Sequence, residues 1–352
     1  MNFNSVGTDH ISDLKTIVPD DRLSTGESVL DLHAKDQSQH LAVRPEMVIW
    51  PQTAAEVAAV VKYANDNRFP IVGWGSGSSL EGNPIPVEGG IVLDFAQMNR
   101  ILDIRAEAFQ ADVEPGVIYQ DLNKKLRHTG LFFPPDPGAR ATLGGMIANN
   151  ASGTRTVYYG STKDYVLRLS VVLANGEIIE IGNQASKTSS GYDLIRLFVG
   201  SEGTLGIVVG ATVRLVGLPV EFSAAVATFP SVESAGKVVF EIMRSGLSPA
   251  ALELLGPECI ELMNAEDNLN LTVSPTLIME FHGATTSQLT EVLEMAEEIC
   301  KGEGCQMFET GVGRSERDRI FKARHALGEI IIRNHPDCGI LVMDVAVPIT
   351  AY

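Results

Sequence analysis

The sequence predicts an α+β chain of two domains, and three observations carry that expectation. Three Gly/Ser-rich loops precede Leu218, each beside the end of a strand or helix. A helical apolar period hands over to a short strand just ahead of the first loop. After Leu218 such loops stop, and strands alternate with amphipathic helices. A length of 352 residues supports two separate cores.

Residues 1–40 are polar and poorly periodic, and read as a lead-in to a first domain, 41–218, and a second, 219–352. Regular structure starts clearly at Thr53, where Thr53-Ala-Ala-Glu56 forms a capping-box pattern. Val57, Val60, Val61 and Ala64 then recur at i, i+3, i+4 and i+7, which makes one helix face apolar. The helix is expected to end between Asn65 and Arg68, and Pro70-Ile71-Val72 begins a strand. Gly73 to Gly82, with four glycines and three serines, follows at that strand's C-terminal end. Ligands of α/β folds commonly bind there.

A second block, 131–160, reads LFFPPDPGARATLGGMIANNASGTRTVYYG. Pro134, Pro135 and Pro137 fix an extended entry, Gly144 and Gly145 open a weak helical turn, and Asn149 to Gly153 form another small-residue loop. Val166 to Leu173 and Ile178 to Ile181 are β-rich, and Asn175-Gly176 between them is a hairpin signal. Tyr192 to Val209 reads as a short helix, the loop Gly200 to Gly206, and a β-branched strand. In the second domain, strands at 224–229 and 277–281 precede helices at 232–243 and 289–300, and a long helix spans 314–334. This pattern predicts an antiparallel sheet with helices on one face. Gly339 to Val347 is again β-like, and a strand there would present an edge short of partners.

Composition narrows the function classes. A hydrophobic share of 45% and a charged share of 20% fit a globular protein. The formal net charge of −17 argues against nucleic acid, or an anionic membrane held by bulk electrostatics. Cys259, Cys300, Cys305 and Cys338 form no CxxC pair, which fits reduced thiols in a cytoplasmic protein. Met1 to Asp20 has no basic stretch followed by an apolar core, and no apolar run reaches membrane-spanning length.

A loop so rich in glycine leaves the backbone uncrowded, so that its N–H groups can converge on a phosphate. Asn83 stands where a Walker loop needs lysine, and Ser78 where a Rossmann fingerprint needs its third glycine. A tight connection explains any one such loop. A long phosphate-bearing cofactor lying across several explains all three together.

The ordered blocks GWGSGSSLEGN, VEPGVIYQDLNKKL, FFPPDPGARATLGGMIANNASGTRTVYYG and YDLIRLFVGSEGTLGIV resemble the FAD-binding domain of the vanillyl-alcohol-oxidase (PCMH) type, from about Arg44 to Val216. Within that family the chain looks most like the FAD-linked D-lactate dehydrogenases and the flavin subunit of glycolate oxidase. RPEMVIWP at 44–51, Phe281-His282-Gly283, FKARH at 321–325 and DVAVPI at 344–349 carry this likeness. The resemblance implies a two-subdomain FAD domain followed by a partial ferredoxin-like α+β cap. In full-length relatives the chain continues past the point matching Tyr352, so this sequence is expected to be a shortened or incomplete form.

Carried over by position, the resemblance puts Gly73, Gly75, Ser76, Gly77, Ser78 and Ser79 around the FAD pyrophosphate. Pro135, Asp136, Gly144, Gly145, Ser152 and Gly153 would line the flavin and ribityl chain. Glu202, Gly206, Ile207 and Val208 would hold the adenine end or the loop beside it. A simple turn explains any single glycine among them equally well. Some relatives bond flavin through a loop histidine, but none lies between Gly73 and Asn83, so non-covalent FAD is expected.

Oxidising a 2-hydroxy acid needs a cation for the carboxylate and an acceptor for the hydroxyl proton. The FKARH match makes Arg324 the candidate catalytic cation, since guanidinium binds carboxylate through two parallel hydrogen bonds. Arg319 and Lys322 read as surface charges that could serve a diacid. The family resemblance implies a divalent metal in full-length relatives, held by a His-rich motif absent from this sequence. No two of the seven histidines have metal-ligand spacing, so His282 and His325 read as packing or supporting residues.

The expected activity is FAD-dependent oxidation of a D-2-hydroxy acid, D-lactate first. Electrons would pass to a quinone, cytochrome or flavoprotein, with subunit or peripheral membrane association as a further expectation. Glycolate or 2-hydroxyglutarate is the alternative substrate. A non-catalytic flavin-binding protein is the alternative from another class. An NAD- or ATP-binding module is poorly supported, because both fingerprints fail.

Overall fold

The computed structural model describes residues 3–267 and 271–349, and the side chains of 267, 314–317, 319, 320, 322, 323, 325 and 326 lie outside the described residues. The chain divides into two units, Met1–Ser152 with Ser161–Gly217, and Gly153–Gly160 with Leu218–Tyr352.

The first unit opens with α1 (Thr8–Ile17), β1 (Leu23–Ser24), α2 (Glu27–Leu32), β2 (Met47–Ile49), α3 (Ala54–Asn67), β3 (Ile71–Trp74) and β4 (Ile91–Asp94). The strands form a sheet in the order β1-β2-β4-β3, with β2 and β3 both parallel to β4. The stretch expected as a lead-in is therefore part of the fold from α1 onward. Leu14 and Val18 are fully buried with Val57, Val60, Met47 and Ile91. So few anchors give too sparse a periodic signal to read.

The α3 helix follows its sequence signals. Val57, Val60, Val61 and Ala64 are the buried face, and Arg68 ends the helix in the left-handed region at φ 60°. Thr53 Oγ1 accepts from the Glu56 N–H at 3.2 Å, as an N-cap should. Glu56 reaches one residue further back than a capping box requires, accepting the Gln52 N–H at 2.7 Å.

The unit continues with β5 (Ile101–Arg105), β6 (Gln110–Val113), α4 (Tyr119–Leu126), β7 (Leu131–Phe132) and α5 (Leu143–Asn149). Beyond α6 (Thr156–Tyr159), which belongs to the second unit, come β8 (Val166–Val172), β9 (Ile178–Gly182), α7 (Leu194–Phe198), β10 (Ile207–Arg214) and β11 (Val216–Gly217). A second sheet runs β5-β6-β10-β8-β9, antiparallel throughout, and β7 pairs with β11. The Asn175-Gly176 hairpin forms, with Gly176 at φ 82°.

The second unit is built from β12 (Glu221–Thr228), α8 (Val232–Ser245), β13 (Ala251–Leu255), α9 (Pro257–Asp267), β14 (Thr276–Gly283), α10 (Thr286–Gly302), β15 (Met307–Val312) and α11 (Arg314–Asn334). The sheet order β13-β14-β12-β15, all antiparallel, is that of a ferredoxin-like βαββαβ unit. Two expectations need correction. Helices cover both faces, since α8 and α10 pack on Ala225, Ala227, Leu277 and Met279, while α9 and α11 pack on Ala224, Val226 and Ile278. The unbroken apolar run at 224–227 is what burial on both faces produces. Residues 339–348 form no strand; no sheet partner lies alongside, and Leu341, Met343 and Val345 are exposed.

Candidate cofactor site

The three small-residue loops of the first unit meet around α5. Gly75 passes so close to Thr142, the N-cap of α5, that a Cβ at Gly75 would overlap Thr142 Oγ1. Asn83, at the far end of the first loop, donates to Asn149 Oδ1 in the last turn of α5 and accepts from Ser79 Oγ. The third loop docks on the C-terminal carbonyls of the same helix, Gly200 N–H to Ile147 O at 3.0 Å and Glu202 N–H to Ala148 O at 2.9 Å. These bonds satisfy groups that a helix end leaves open. Glu202 sits at φ 54°, a conformation that costs a non-glycine residue energy and marks a constrained loop.

Ile207 opens β10 and packs against the core that also receives Ile71, while Gly206 lies against Val171. Asp136 accepts the Tyr119 hydroxyl and the Gly138 N–H, which pins the Pro135–Asp136 turn to the start of α4. Gly144 is held against Pro115, where a Cβ would come within 2.7 Å of the proline side chain. The structure thus brings together Gly73 to Ser79, Gly144, Gly145 and the loop from Glu202 to Val208. Ser152 ends the first unit's segment, whereas Gly153 belongs to the second unit and donates to Thr156 Oγ1 at 3.0 Å.

The first loop leaves backbone donors open. Among the described residues, the backbone N–H groups of Ser76, Gly77, Ser78 and Ser79 take no protein acceptor. Gly77 turns at φ 63°, and a Cβ there would lie 2.6 Å from the Trp74 ring. Side-chain crowding is excluded, and unspent donors sit in a turn of small residues, so the chain fits a phosphate-bearing group there.

A second wall of this loop escaped the sequence reading. Asp36 Oδ2 accepts the Gly82 N–H at 2.8 Å, and the Gln37 N–H reaches Ser79 O at 3.0 Å. His40 packs so closely on Gly82 that no Cβ fits between them. These residues come from the segment that looked like a lead-in. Its only sequence signal is Asp36 followed by Ser38, an Asx-turn pair, here formed with Ser38 N–H to Asp36 Oδ1 at 2.9 Å.

In the second unit, Arg324 on α11 gives Nε and Nη2 to Glu253 Oε2 on β13, at 2.8 and 2.6 Å. The candidate carboxylate-binding cation is therefore paired inside the protein. Arg319, Lys322 and His325 fall outside the described side chains. His282 is largely buried, with Nε2 on Glu280 Oε1 at 2.5 Å and Nδ1 on the Tyr159 hydroxyl at 2.8 Å. Arg155 Nη2 also reaches Glu280 Oε1, at 3.2 Å. Both ring nitrogens of His282 are therefore engaged within the protein. Glu280, fully buried, was not foreseen, although a glutamate inside the largely apolar strand β14 is itself a signal. Among the described residues no cluster of three or more His, Cys, Asp or Glu could hold a metal ion.

Known proteins are similar to this chain over most of its length. Residues 45–182 match the FAD binding domain family, and residues 218–352 match the C-terminal domain of FAD linked oxidases. A probable mitochondrial D-lactate dehydrogenase of Danio rerio is 40% identical over 343 residues, covering 97% of this chain and 69% of the relative. A mitochondrial cytochrome-type D-lactate dehydrogenase of Arabidopsis thaliana is 36% identical, over 99% of this chain and 61% of the relative. The glycolate oxidase subunit GlcD of Bacillus subtilis is also 36% identical, over 93% and 69%. Among solved structures, alkyldihydroxyacetonephosphate synthase superposes with a TM-score of 0.77 at 20% identity, covering 95% of this chain and 65% of that one. p-Cresol methylhydroxylase with substrate bound does so at 0.73 and 18% identity, over 92% and 70%. These two likenesses establish the fold.

Proposed function

The chain belongs to the FAD-linked oxidases, and from that premise we propose that it oxidises a D-2-hydroxy acid, D-lactate to pyruvate, with electrons leaving to an acceptor other than NAD. The observation that carries this is the junction of three loops at α5, with spare N–H donors from Ser76 to Ser79. FAD, when bound, supplies the two-electron acceptor for the substrate's α-carbon hydrogen.

The chain's own residues bind and orient. The N–H groups of Ser76 to Ser79 hold the pyrophosphate, and the absence of side chains at Gly75 and Gly77 lets it approach the backbone. Gly144, Gly145, Ser152, Pro135 and Asp136 line the flavin side, and Gly206, Ile207 and Val208 close the other wall. Arg324 receives the substrate carboxylate. Glu253 holds the guanidinium in place while Nη1 remains for the ligand.

The relatives support two substrates. D-lactate is favoured by the D. rerio and A. thaliana enzymes, and glycolate by the B. subtilis subunit. A cytochrome is the acceptor suggested by the A. thaliana enzyme's name. All four cysteines are free, which supports a reducing compartment such as the cytoplasm, whereas those two D-lactate relatives are mitochondrial. No helix among the described residues is long and apolar enough to cross a membrane.

The test is a visible spectrum of the purified protein, taken without oxygen before and after substrate. Flavin bands that bleach with D-lactate, faster than with glycolate and not with L-lactate, are expected. Bands that survive every hydroxy acid would leave a flavin-binding protein without this activity. Absence of flavin binding would remove the proposal altogether.

A further inference from the structure

Beneath the first loop lies a buried charged pair that the function above does not use. His33, 6% exposed, caps the C-terminus of α2, and Asp94, 8% exposed, ends β4. His33 Nδ1 lies 2.8 Å from Val29 O, and His33 Nε2 lies 3.1 Å from Asp94 Oδ2. A carbonyl oxygen only accepts, so Nδ1 must carry a proton. Asp94 Oδ2 also accepts the Trp50 indole N–H at 2.8 Å, and its Oδ1 accepts the Ala96 N–H at 2.8 Å. Its oxygens are thus placed to accept from His33 Nε2 as well. Both ring nitrogens therefore donate, and His33 is an imidazolium.

The imidazolium stands against the support of the loop. Its ring lies 5.0 Å from that of Trp74, the last residue of β3, and 6.1 Å from that of Trp50. Trp74 in turn fills the space under Gly77, and the chain leaving His33 supplies Asp36, Gln37 and His40 to the loop's outer wall. We propose that His33 is a positioning residue for the phosphate loop, its imidazolium fixed between Val29 O and Asp94 so that Trp74 and the 36–40 segment hold the loop's N–H groups in register. This rests on the reading of the loop as the FAD pyrophosphate site.

The charge state gives the device a pH dependence. Burial opposes protonation of His33, but hydrogen bonds to Asp94 and Val29 O and attraction to Asp94 outweigh it, so its pKa is raised above 6.5. The stabilisation is fully present below that value and is lost as pH rises through the folded pKa. The adjoining elements also carry Glu27 and Asp31 on α2, Lys35, Asp36 and His40 after it, and Glu81 on the loop. Asp31 is tied to Arg44, and Asp36 to Gly82. The strands alongside present Trp50 and Trp74, and among the described residues Asp94 is the one charged side chain bonded to His33.

The sequence holds two tryptophans, and both flank His33, so intrinsic fluorescence of the flavin-free protein reports its protonation, because an imidazolium quenches indole. The experiment pairs that signal with the FAD dissociation constant from pH 5.5 to 9, for the wild-type chain and His33→Gln. One fluorescence rise above pH 6.5 is expected, accompanied by about tenfold weaker FAD binding, the equivalent of one coupled pKa unit. His33→Gln should lack the fluorescence step and bind FAD about tenfold more weakly at pH 6, with no further change as pH rises. FAD binding that is flat across the wild-type fluorescence step, or wild-type affinity in His33→Gln, overturns the proposal. If His33→Gln does not fold, the wild-type titration alone decides. A fluorescence step without FAD binding at any pH sinks the cofactor reading, and the positioning role with it, but leaves the ion pair standing.

Discussion

At Gly77 two constraints meet: a backbone turn at φ 63° and an indole ring where a Cβ would go. Gly77→Ala therefore strains the turn and displaces Trp74, and neither effect can be relieved without moving the loop. The expected outcome is at least a tenfold rise in the FAD dissociation constant, with overall stability lowered by about 1–3 kcal/mol. Titration with FAD, alongside urea unfolding of the flavin-free protein, would measure both. Unchanged FAD affinity would mean that the loop is not the cofactor's seat. Glycine content exposed this loop in the sequence, because flexibility is written in residue type. The partners across from it were not legible. Asp36, Gln37 and His40 meet the loop from far along the chain, which no local pattern encodes.

Among the elements, α3 was the most legible, since its cap, period and end are all local signals. What ties it to the N-terminal segment was not. Arg22 donates from Nη1 and Nη2 to the two carboxylate oxygens of Glu56 at 2.8 and 2.7 Å, and both side chains are mostly buried. Hydrogen bonds from Arg22 hold the Glu56 carboxyl below its usual range, against the opposing effect of burial. A depressed carboxyl pKa adds stability that is present above the unfolded value near 4.5 and is lost as pH falls through the folded one. Glu56→Gln should therefore destabilise the protein by about 1–3 kcal/mol at pH 7 and flatten the acid limb of its stability curve. Chemical denaturation at pH 7 and pH 4 measures this. An equal loss at both pH values would show that the pair adds no pH dependence. The second unit shows the opposite balance. Most of its strands and helices were legible from apolar runs, but β13, α9 and β15 were missed, because segments such as Ala251 to Leu255 are too short to separate from a helix by period alone.

Over the whole molecule, each unit has its own core, one around Val57, Ile91 and Leu93 and the other around Phe229, Met279 and Leu293. Calorimetry is expected to resolve two unfolding transitions, with FAD at one hundred times its dissociation constant adding about 2.7 kcal/mol to the first unit only. A single transition shifted as a whole by FAD would show that the units unfold together. The boundary at Gly217 is simple in sequence but not in space, because residues 153–160 leave the first unit's chain and count with the second. There Arg155 and Tyr159 engage Glu280 and His282. Recombination between homologues meets this directly. A crossover after Gly217 imports Glu280 and His282 from one parent while Arg155 and Tyr159 stay behind from the other. Viable chimeras of this fold must exchange two stretches of gene at once, or inherit a buried carboxylate matched to the wrong parent's arginine.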